Sequence, residues 1–286
     1  MTSNLKNNLI DGKKQAQQIR VNLKQYLKDN PKKIGLAVVL VGDDPASQIY
    51  VKNKVAACQD VGILSFVHHL PQNCTQAKLL DLIDILNLDC NVHGILVQLP
   101  LPKHIDSCIV IDRICHQKDV DGLTNYHIAK LAKGQECIVP CTPSGIVHLI
   151  NSTGTSIEGK HAVVVGRSQI VGRPIAQLLL NYNATLSVCH SSTLNLAMLT
   201  KQADILIVAV GQRNLINKSH VKLGAIVIDV GINRFEGRVC GDVNFEEVSK
   251  VAGFITPVPG GVGPMTIASL LQNVIKCKYF MDTNVQ

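Results

Sequence analysis

The chain has 286 residues, of which 46% are hydrophobic and 17% charged, enough for the cores of two domains or of one large domain. Aromatic residues make up only 3% and tryptophan is absent, so the cores are expected to be aliphatic. The formal net charge of +7 comes from Lys and Arg that are spread along the chain and not clustered with aromatic residues, which argues against a nucleic-acid partner. This charge either helps an anionic ligand to bind or simply keeps a basic surface in solution.

Membrane insertion and export are not expected from this sequence. No apolar run reaches the roughly 18 residues of a membrane span, and the start of the chain, MTSNLKNNLIDGKK, lacks the apolar region of a secretory signal. The ten cysteines form no CxxC pair, and Cys137 and Cys141 have no second close pair. We therefore predict thiols in a reducing cytoplasm and no metal site.

The first half of the chain alternates between predicted helices and predicted strands. Helices are expected at residues 8–28, 46–61, 75–88 and 106–114, and strands at residues 34–41, 63–69 and 94–99. The strand 34–41 reads IGLAVVLV, an apolar run typical of a strand buried on both faces. A β-α-β-α-β order of this kind predicts a mostly parallel sheet.

A more polar connection at residues 119–141, partly helical at 126–133, leads into a second α/β half. Here we predict helices at 142–150 and 265–279, strands at 162–165, 184–188, 205–210, 225–230 and 253–255, and a small hairpin or an irregular excursion at 233–241. The glycine-rich stretch PVPGGVGP, residues 257–264, precedes the last helix. Two α/β units in series make a cleft between them the expected place for chemistry.

The stretch AVVVGRSQIVGRP, residues 162–174, predicts a strand, a glycine turn and a helix, with Gly166 at the turn. The free N–H groups of such a helix favour an anion. The usual dinucleotide fingerprint has glycine where this chain has Ser168 and Val171, so a turn without ligand stays open as the alternative. Arg167 flanks the turn, and the next strand ends in CHSST without an acid, which favours NADP over NAD.

Four polar residues are candidates for chemistry in the first half. Tyr50 and Lys54 lie four residues apart, so a helix places them on one face. A Lys that faces an apolar cleft loses part of its preference for the charged form and can exchange protons near neutrality. Gln98 is the lone polar residue of the strand GILVQL, and Asp121 lies in the loop KDVDG. The alternatives are a solvated Lys, a Gln bonded to nearby backbone and an ordinary Asp-Gly turn.

Six stretches, taken together, resemble one enzyme family. They are SQIYVKNK (47–54), GILVQLPLP (94–102), KDVDG (118–122), VVVGRSQIVGRP (163–174), VIDVGIN (227–233) and TPVPGGVGPMT (256–266). In this order, and over nearly the whole chain, they resemble the bifunctional methylenetetrahydrofolate dehydrogenase/cyclohydrolases of the FolD type. No motif position departs from the family pattern, and the spacing of Ser168 and Gly172 is the family's own version of the fingerprint.

The resemblance implies a fold, two reactions and a set of roles. The expected fold is α/β, with two α/β domains, a cleft between them, and a Rossmann-like second domain that binds NADP. The expected reactions are oxidation of 5,10-methylenetetrahydrofolate with NADP and hydrolysis of the methenyl product to 10-formyltetrahydrofolate. By resemblance, Lys54 handles the proton, Gln98 tunes it, Tyr50 stacks along the folate and Asp121 holds the pterin.

The resemblance also implies binding residues, domain limits and assembly. The cofactor residues would be Gly166, Arg167, Ser168, Ser191 and Ile232, and the substrate residues would include Val97, Leu99, Pro259, Gly260, Gly261, Val262 and Gly263. Residues 1–140 would form the folate-binding catalytic domain, with the helix 271–286 packing back on it, and residues 141–270 the NADP-binding domain. The family is a homodimer.

Two other classes of function stay open on the sequence. One is a different two-domain NADP-dependent dehydrogenase, of the shikimate or amino-acid type, which would not react with methylenetetrahydrofolate. The other is a non-catalytic nucleotide-binding regulator, which would bind cofactor without oxidising a substrate. The joint presence of Tyr50, Lys54, Gln98 and Asp121 favours the folate enzyme over both.

Overall fold

The computed structural model of the chain describes residues 8–283, which form ten helices and ten strands. The helices are α1 Gly12–Asp29, α2 Pro45–Val61, α3 Gln76–Leu88, α4 Ser107–Arg113, α5 Asn125–Ala132, α6 Cys141–Asn151, α7 Gly172–Asn181, α8 Leu196–Thr200, α9 Phe245–Val248 and α10 Val262–Thr283. The strands are β1 Gly35–Val41, β2 Leu64–Leu70, β3 Gly94–Val97, β4 His161–Val165, β5 Thr185–Cys189, β6 Ile205–Val208, β7 Ile226–Asp229, β8 Asn233–Phe235, β9 Arg238–Cys240 and β10 Phe254–Ile255. The prediction of an α/β fold with parallel sheets is confirmed.

The described residues form two compact units. The first unit contains Gln17–Cys141 and residues 267–283, and the second contains residues 8–16 and Thr142–Thr266. The outer ends of the predicted domain limits, residues 1–7 and 284–286, lie outside the described residues.

The first unit is built on a parallel three-stranded sheet in the order β2-β1-β3. Every residue of β1 is buried, because its alternate side chains face two different cores. Leu36, Val38 and Leu40 pack with α2 and with α10 residues such as Leu271 on one face. The other face, which includes Val39, packs with α3 and α4. A strand covered on both faces explains the continuous apolar run of the sequence.

The second unit is built on a parallel five-stranded sheet in the order β10-β7-β6-β4-β5, with β8 and β9 as a separate hairpin. Chain order runs outward in both directions from β4, so the neighbouring connections from β4 and β6 leave on opposite sides of the sheet. In open parallel sheets, ligands bind beyond the carboxyl ends of the strands at such a point. The topology therefore places the expected cofactor site of this unit beyond Val165 and Val208.

The prediction of helix at residues 8–11 is wrong. Leu9 forms a parallel β-bridge with Ile255, and the Ile10 N–H donates to the Ile255 carbonyl at 2.9 Å. The helix begins only at Gly12, where the Asp11 carboxylate accepts the Lys14 N–H at 3.0 Å. This start of the chain extends the edge of the second sheet beside β10, a pairing across more than 240 residues that no local pattern encodes.

Candidate active site

Lys54 and Gln98 form a hydrogen-bonded pair in the first unit. The Lys54 side chain is 8% exposed, and its Nζ donates to Gln98 Oε1 at 3.0 Å. The Gln98 Nε2 in turn donates to the Leu99 carbonyl at 2.6 Å, so its amide oxygen is directed at the lysine. Among the described residues, no carboxylate lies within 4.0 Å of Nζ. A buried amine with a neutral partner is well suited to giving and taking a proton.

The position of Lys54 follows from how α2 begins. Gly42 ends β1 with a φ of +83°, and the Asp44 carboxylate accepts the Ser47 N–H at 2.8 Å as the helix N-cap. Tyr50 lies one helical turn before Lys54 and is half-buried. Gln98 comes directly after β3 and extends its pairing with β1, since the Gln98 N–H donates to the Val39 carbonyl at 2.8 Å. The two groups therefore meet because α2 and the end of β3 both leave the carboxyl edge of one sheet.

Asp121 lies in a turn that is held by its neighbours in KDVDG. The buried Asp119 carboxylate accepts the N–H groups of Gly122 and Thr124, each at 2.8 Å. Burial raises the pKa of Asp119 to about 6, with the negative charge of Asp121 contributing. The Lys118 Nζ donates to two carbonyls at the end of α3. Lys118 and Asp119 thus hold the turn in place, and Asp121 lies half-buried within it.

Gly122 is required by the backbone of this turn. Its φ is +66°, and a Cβ at this position would lie 2.4 Å from the Ile138 carbonyl oxygen. A side chain would therefore push apart two segments that meet beside Asp121.

Two residues that the sequence analysis missed stand beside Asp121. The buried Cys141 thiol donates to the Val120 carbonyl at 3.3 Å, and burial raises its pKa well above the usual range, with Asp121 adding to the effect and Lys54 opposing it. Lys54 and Asp121 are therefore both close enough to influence one thiol. Asn273 Nδ2 donates to the carbonyls of Val120 and Val139, each at 2.9 Å. A single buried amide in the apolar stripe of α10 was the sequence signal for this contact.

The other predicted substrate residues belong to two different parts of the fold. Val97 is a core residue with 4% exposure, and Leu99 is half-buried beside Gln98. The stretch 259–263 belongs to the second unit and leads into α10. Within that unit the Lys13 N–H donates to the Gly260 carbonyl at 3.0 Å, and a Cβ at Gly12 would lie 1.9 Å from the Gly261 oxygen. This stretch is therefore packed backbone to backbone against the start of α1.

The turn after β4 is built on two glycines. Gly166 has a φ of +123°, and a Cβ there would lie 2.2 Å from the Ala209 carbonyl oxygen at the end of β6. A Cβ at Gly172 would lie 2.4 Å from the Gly166 oxygen. The Ser168 Oγ accepts the N–H groups of Val171 and Gly172 at 3.3 and 3.2 Å, so the hydroxyl already caps the start of α7. Because neither glycine has a side chain, the backbone of the turn can pass close to the carboxyl ends of β4 and β6, where a ligand is expected.

The chemistry around this turn fits a dinucleotide with an extra phosphate. Arg167 and Ser168 are exposed at the turn, and Ser191 is exposed in the loop after β5. That loop is closed by its own hydroxyl and imidazole groups, since the His190 N–H donates to Thr193 Oγ1 at 2.8 Å. No carboxylate occurs between Cys189 and Thr193, where an NAD site has an acid for the ribose. Ile232 is 53% exposed, as expected for an apolar residue that a ligand covers.

Other kinds of site find little support in residues 8–283. No group of three or more His, Cys, Asp or Glu side chains is arranged to hold a metal ion there. None of the helices in this range combines the length and the apolar character that crossing a bilayer requires.

The chain is similar to known proteins over nearly its whole length. Residues 10–121 match the family model of the tetrahydrofolate dehydrogenase/cyclohydrolase catalytic domain, and residues 140–281 match that of the NAD(P)-binding domain. The bifunctional protein FolD of Moorella thermoacetica is 55% identical over 94% of this chain and 97% of its own length. The FolD dehydrogenase/cyclohydrolase structure from Campylobacter jejuni is 52% identical, covers 96% of this chain and 99% of the other, and has a TM-score of 0.93. The Trypanosoma brucei enzyme, complexed with NADP cofactor and inhibitor, is 37% identical with a TM-score of 0.91, over 96% of this chain and 97% of its own.

Proposed function

Since the chain belongs to the tetrahydrofolate dehydrogenase/cyclohydrolase family, we propose that it carries out both reactions of that family. It oxidises 5,10-methylenetetrahydrofolate to the 5,10-methenyl cation with NADP, and it hydrolyses this cation to 10-formyltetrahydrofolate. The observation that carries the proposal is the buried Lys54–Gln98 pair, inside the region that matches the catalytic domain. Neither a shikimate-type dehydrogenase nor a regulator without turnover accounts for this arrangement together with the family match.

The first reaction needs alignment rather than a base. Bound NADP supplies the acceptor for the hydride that leaves the bridging carbon of the folate. The chain's own task is to hold the folate in a productive orientation. We propose that the Asp121 carboxylate holds the pterin edge by accepting hydrogen bonds from two N–H groups. Tyr50 stacks along the folate. Val97 and Leu99 flank Gln98, and the backbone of residues 259–263 provides close approach.

The second reaction needs proton transfer. Water attacks the bridging carbon and loses one proton, giving a neutral tetrahedral adduct. One C–N bond then breaks as the hydroxyl of the adduct loses its proton to form the formyl C=O and the departing nitrogen gains a proton, so that one proton is released to solvent overall. Lys54 Nζ is the group placed to take and return this proton, because it is buried and its hydrogen-bond partner is a neutral amide. Gln98 acts through Lys54, since its amide oxygen holds the amine in one direction.

We assign the catalytic role to the first unit and the cofactor to the second. The domain limits proposed for this division are 1–140, with the helix 271–286, and 141–270. In the second unit, the lack of a side chain at Gly166 lets the backbone approach NADP closely. Arg167, Ser168 and Ser191 contact the 2′-phosphate end of NADP. Ile232 covers the adenosine or nicotinamide ribose.

Replacing Arg167 should change the choice of cofactor. We expect Arg167→Ala to raise the KM for NADP about tenfold or more, because a charged hydrogen bond to phosphate contributes roughly 1.5–3 kcal/mol. The KM for NAD, which lacks that phosphate, should change much less. Steady-state kinetics with both cofactors measure the difference. Lys201→Ala, at an exposed residue of the same unit directly after α8, removes a positive charge away from this turn and serves as the control; an equal loss with NADP and NAD in Arg167→Ala would contradict the assignment.

We further propose that the protein is a homodimer that pairs through β2. This strand is an edge of its sheet, and it exposes Leu64, Phe66 and Val67 with 52%, 37% and 48% of their surfaces. A groove of about 420 Å³ runs between β2 and α2 and is lined in part by Val55 and Val67. An unpaired edge with exposed apolar side chains tends to pair with other chains, and a second copy related by a two-fold axis would cover it with the same surface.

The mass in solution tests this assembly. Sedimentation equilibrium should give twice the 31.0 kDa of one chain, and Val67→Lys should shift the protein toward the monomer. Leu88→Lys places the same charge on an apolar residue that is 87% exposed elsewhere, and it should stay dimeric. A wild-type protein that remains monomeric at micromolar concentration would contradict the proposal.

We place the protein in the cytoplasm. All ten cysteines, each within the described residues, are free thiols, and six of them are buried. Such a set of thiols suits a reducing compartment.

One assay tests the function as a whole. Purified protein is mixed with 5,10-methylenetetrahydrofolate and NADP, and the absorbance of the methenyl product is followed as it forms and decays. We expect formation that depends on NADP, followed by decay faster than in protein-free buffer. No product with either NADP or NAD would refute the dehydrogenase activity, and uncatalysed decay would refute the cyclohydrolase activity.

A further inference from the structure

Two buried carboxylates of the second unit lie side by side without a cation. Asp229, the last residue of β7, is 4% exposed, and Asp242, which follows β9, is fully buried. Neither takes part in an ion pair among the described residues. Burial raises the pKa of Asp229 to about 6, and the charge of Asp242 contributes to this rise. Buried charge is costly unless hydrogen bonds satisfy it, so the partners of these carboxylates show what the pair is for.

Asp229 holds the two ends of the segment that contains Ile232. Its Oδ1 accepts the N–H groups of Gly231 and Asp242, and its Oδ2 accepts the N–H of Val243, each at 3.0 Å. The backbone thus closes on itself around one carboxylate, from the end of β7 to the residues after the hairpin β8–β9.

Asp242 connects that segment to the end of β6. Its Oδ2 accepts the N–H groups of Val210 and Gly211 at 2.8 and 3.0 Å. Its Oδ1 accepts from Asn233 Nδ2 at 2.9 Å. Ile232 therefore lies between two residues, Gly231 and Asn233, that are each bonded to one member of the carboxylate pair.

The two carboxylates fit because glycines stand against them. A Cβ at Gly231 would lie 2.3 Å from the Asp242 carboxyl carbon, and a Cβ at Gly241 would lie 1.8 Å from Asp229 Oδ2. A side chain at either glycine would therefore displace one of the two carboxylates. The segment after β6 and the segment around Ile232 consequently share one rigid support.

This support lies at the point where the topology of the sheet predicts the ligand. Val210 and Gly211 follow Ala209, whose carbonyl oxygen is the atom that a Cβ at Gly166 would meet. We propose that Asp229 and Asp242 are positioning residues for the dinucleotide: through Val210, Gly211 and Ile232 they hold the wall of its site in the binding geometry. Both carboxylates are too deeply buried to contact the ligand themselves. The inference rests on the proposed function only in that the second unit binds NADP.

Direct binding of NADPH measures this role without catalysis. Fluorescence titration of the full-length Asp242→Ala variant should show a Kd at least tenfold above that of the wild type, because the wall must become ordered when the ligand binds. In turnover, the KM for NADP should rise by more than kcat falls. Asp242→Asn should stay within about threefold of the wild type, since its amide oxygen still accepts the N–H groups of Val210 and Gly211 and a reoriented Asn233 accepts from its NH₂.

Asp204→Ala is the matched control. Asp204 is a carboxylate of the same unit, but it lies at the opposite ends of the same strands, where it accepts the His161 N–H at 3.0 Å and pairs with Lys222 at 2.7 Å. Its loss should lower the midpoint of thermal unfolding while leaving the Kd for NADPH unchanged. If Asp204→Ala weakens binding as much as Asp242→Ala does, the effect is one of general stability and the proposal is wrong.

A folded Asp242→Ala variant with wild-type affinity would also overturn the proposal. If Asp242→Ala does not fold, Asn233→Ala decides: this half-buried residue should tolerate replacement, and it should raise the Kd about threefold or more, whereas an unchanged Kd contradicts the role. The wild-type protein separates this outcome from the proposed function, because NADPH binding and NADP-dependent oxidation of methylenetetrahydrofolate are measured on it independently of any variant.

Discussion

Replacing Lys54 with Met should separate the two reactions. We expect Lys54→Met to reduce the cyclohydrolase activity by about 10²- to 10⁴-fold, the range that acid–base catalysis contributes. Dehydrogenase activity should persist, because hydride transfer needs alignment and no proton acceptor. Methenyl product should therefore accumulate in the coupled assay. Lys54 is 8% exposed, and methionine preserves most of the packing of its aliphatic side chain.

Lys78→Met is the matched control for this variant. Lys78 is exposed on α3 of the same unit, so its replacement removes an equal charge without touching the Gln98 amide. Thermal unfolding of both variants shows whether the fold is intact. Undiminished hydrolysis in a folded Lys54→Met protein would mean that another group moves the proton, and the mechanism proposed for the second reaction would have to be abandoned.

Removing the Asp121 carboxylate should impair both reactions together. We expect Asp121→Ala to weaken folate binding by about 100-fold or more, because two charged hydrogen bonds to the pterin edge are lost, each contributing roughly 1.5–3 kcal/mol. Cofactor affinity should remain as in the wild type. Titration with a stable folate analogue and the KM values of both reactions measure the effect.

Asp112→Ala controls for the loss of a carboxylate from the same unit. Asp112 is exposed and accepts the Asn125 N–H at 2.7 Å, so its replacement should affect the start of α5 and leave the folate affinity unchanged. Weaker binding of NADPH, with folate affinity intact, in Asp121→Ala would place this residue outside the folate site.

The sequence predicts the elements well where the information is local. The run IGLAVVLV predicts a buried strand, and the structure has β1 at Gly35–Val41. The glycine at 166 and the proline at 174 predict the turn and the helix that follow β4, and both are confirmed. The hairpin at 233–241 is also confirmed. In each case, apolar periodicity and backbone preference act over a few neighbouring residues.

Long-range pairing explains what the sequence could not predict. Nothing in the residues around Asn8 shows that Ile10 joins β10, because the partner lies at Ile255. For the same reason the order of the strands, and with it the switch point between β4 and β6, comes only from the fold. The role of Asn273 is not predictable from the sequence. The spacing of apolar residues in α10 indicates only its buried face, and the carbonyl groups that accept from the Asn273 amide belong to the distant residues 120 and 139. The link between Gln98 and Lys54 is expected from the family resemblance, and the hydrogen bond that joins them depends on how α2 and the end of β3 leave the sheet.

The discontinuous make-up of the two units has a consequence for the protein during its synthesis. The core of the first unit includes Leu270, Leu271, Val274 and Ile275, which leave the ribosome after all the strands of that unit. The strands of this unit and the helices α2 and α3 are synthesised before α10. One apolar face of the nascent sheet therefore stays exposed until α10 has been synthesised. The residues that hold Val120 in place arrive equally late, since Asn273 belongs to the same helix. A truncated chain that ended before α10 would thus contain Lys54 and Asp121, but the core of the first unit would be incomplete. Its exposed apolar surface would be a target for chaperones.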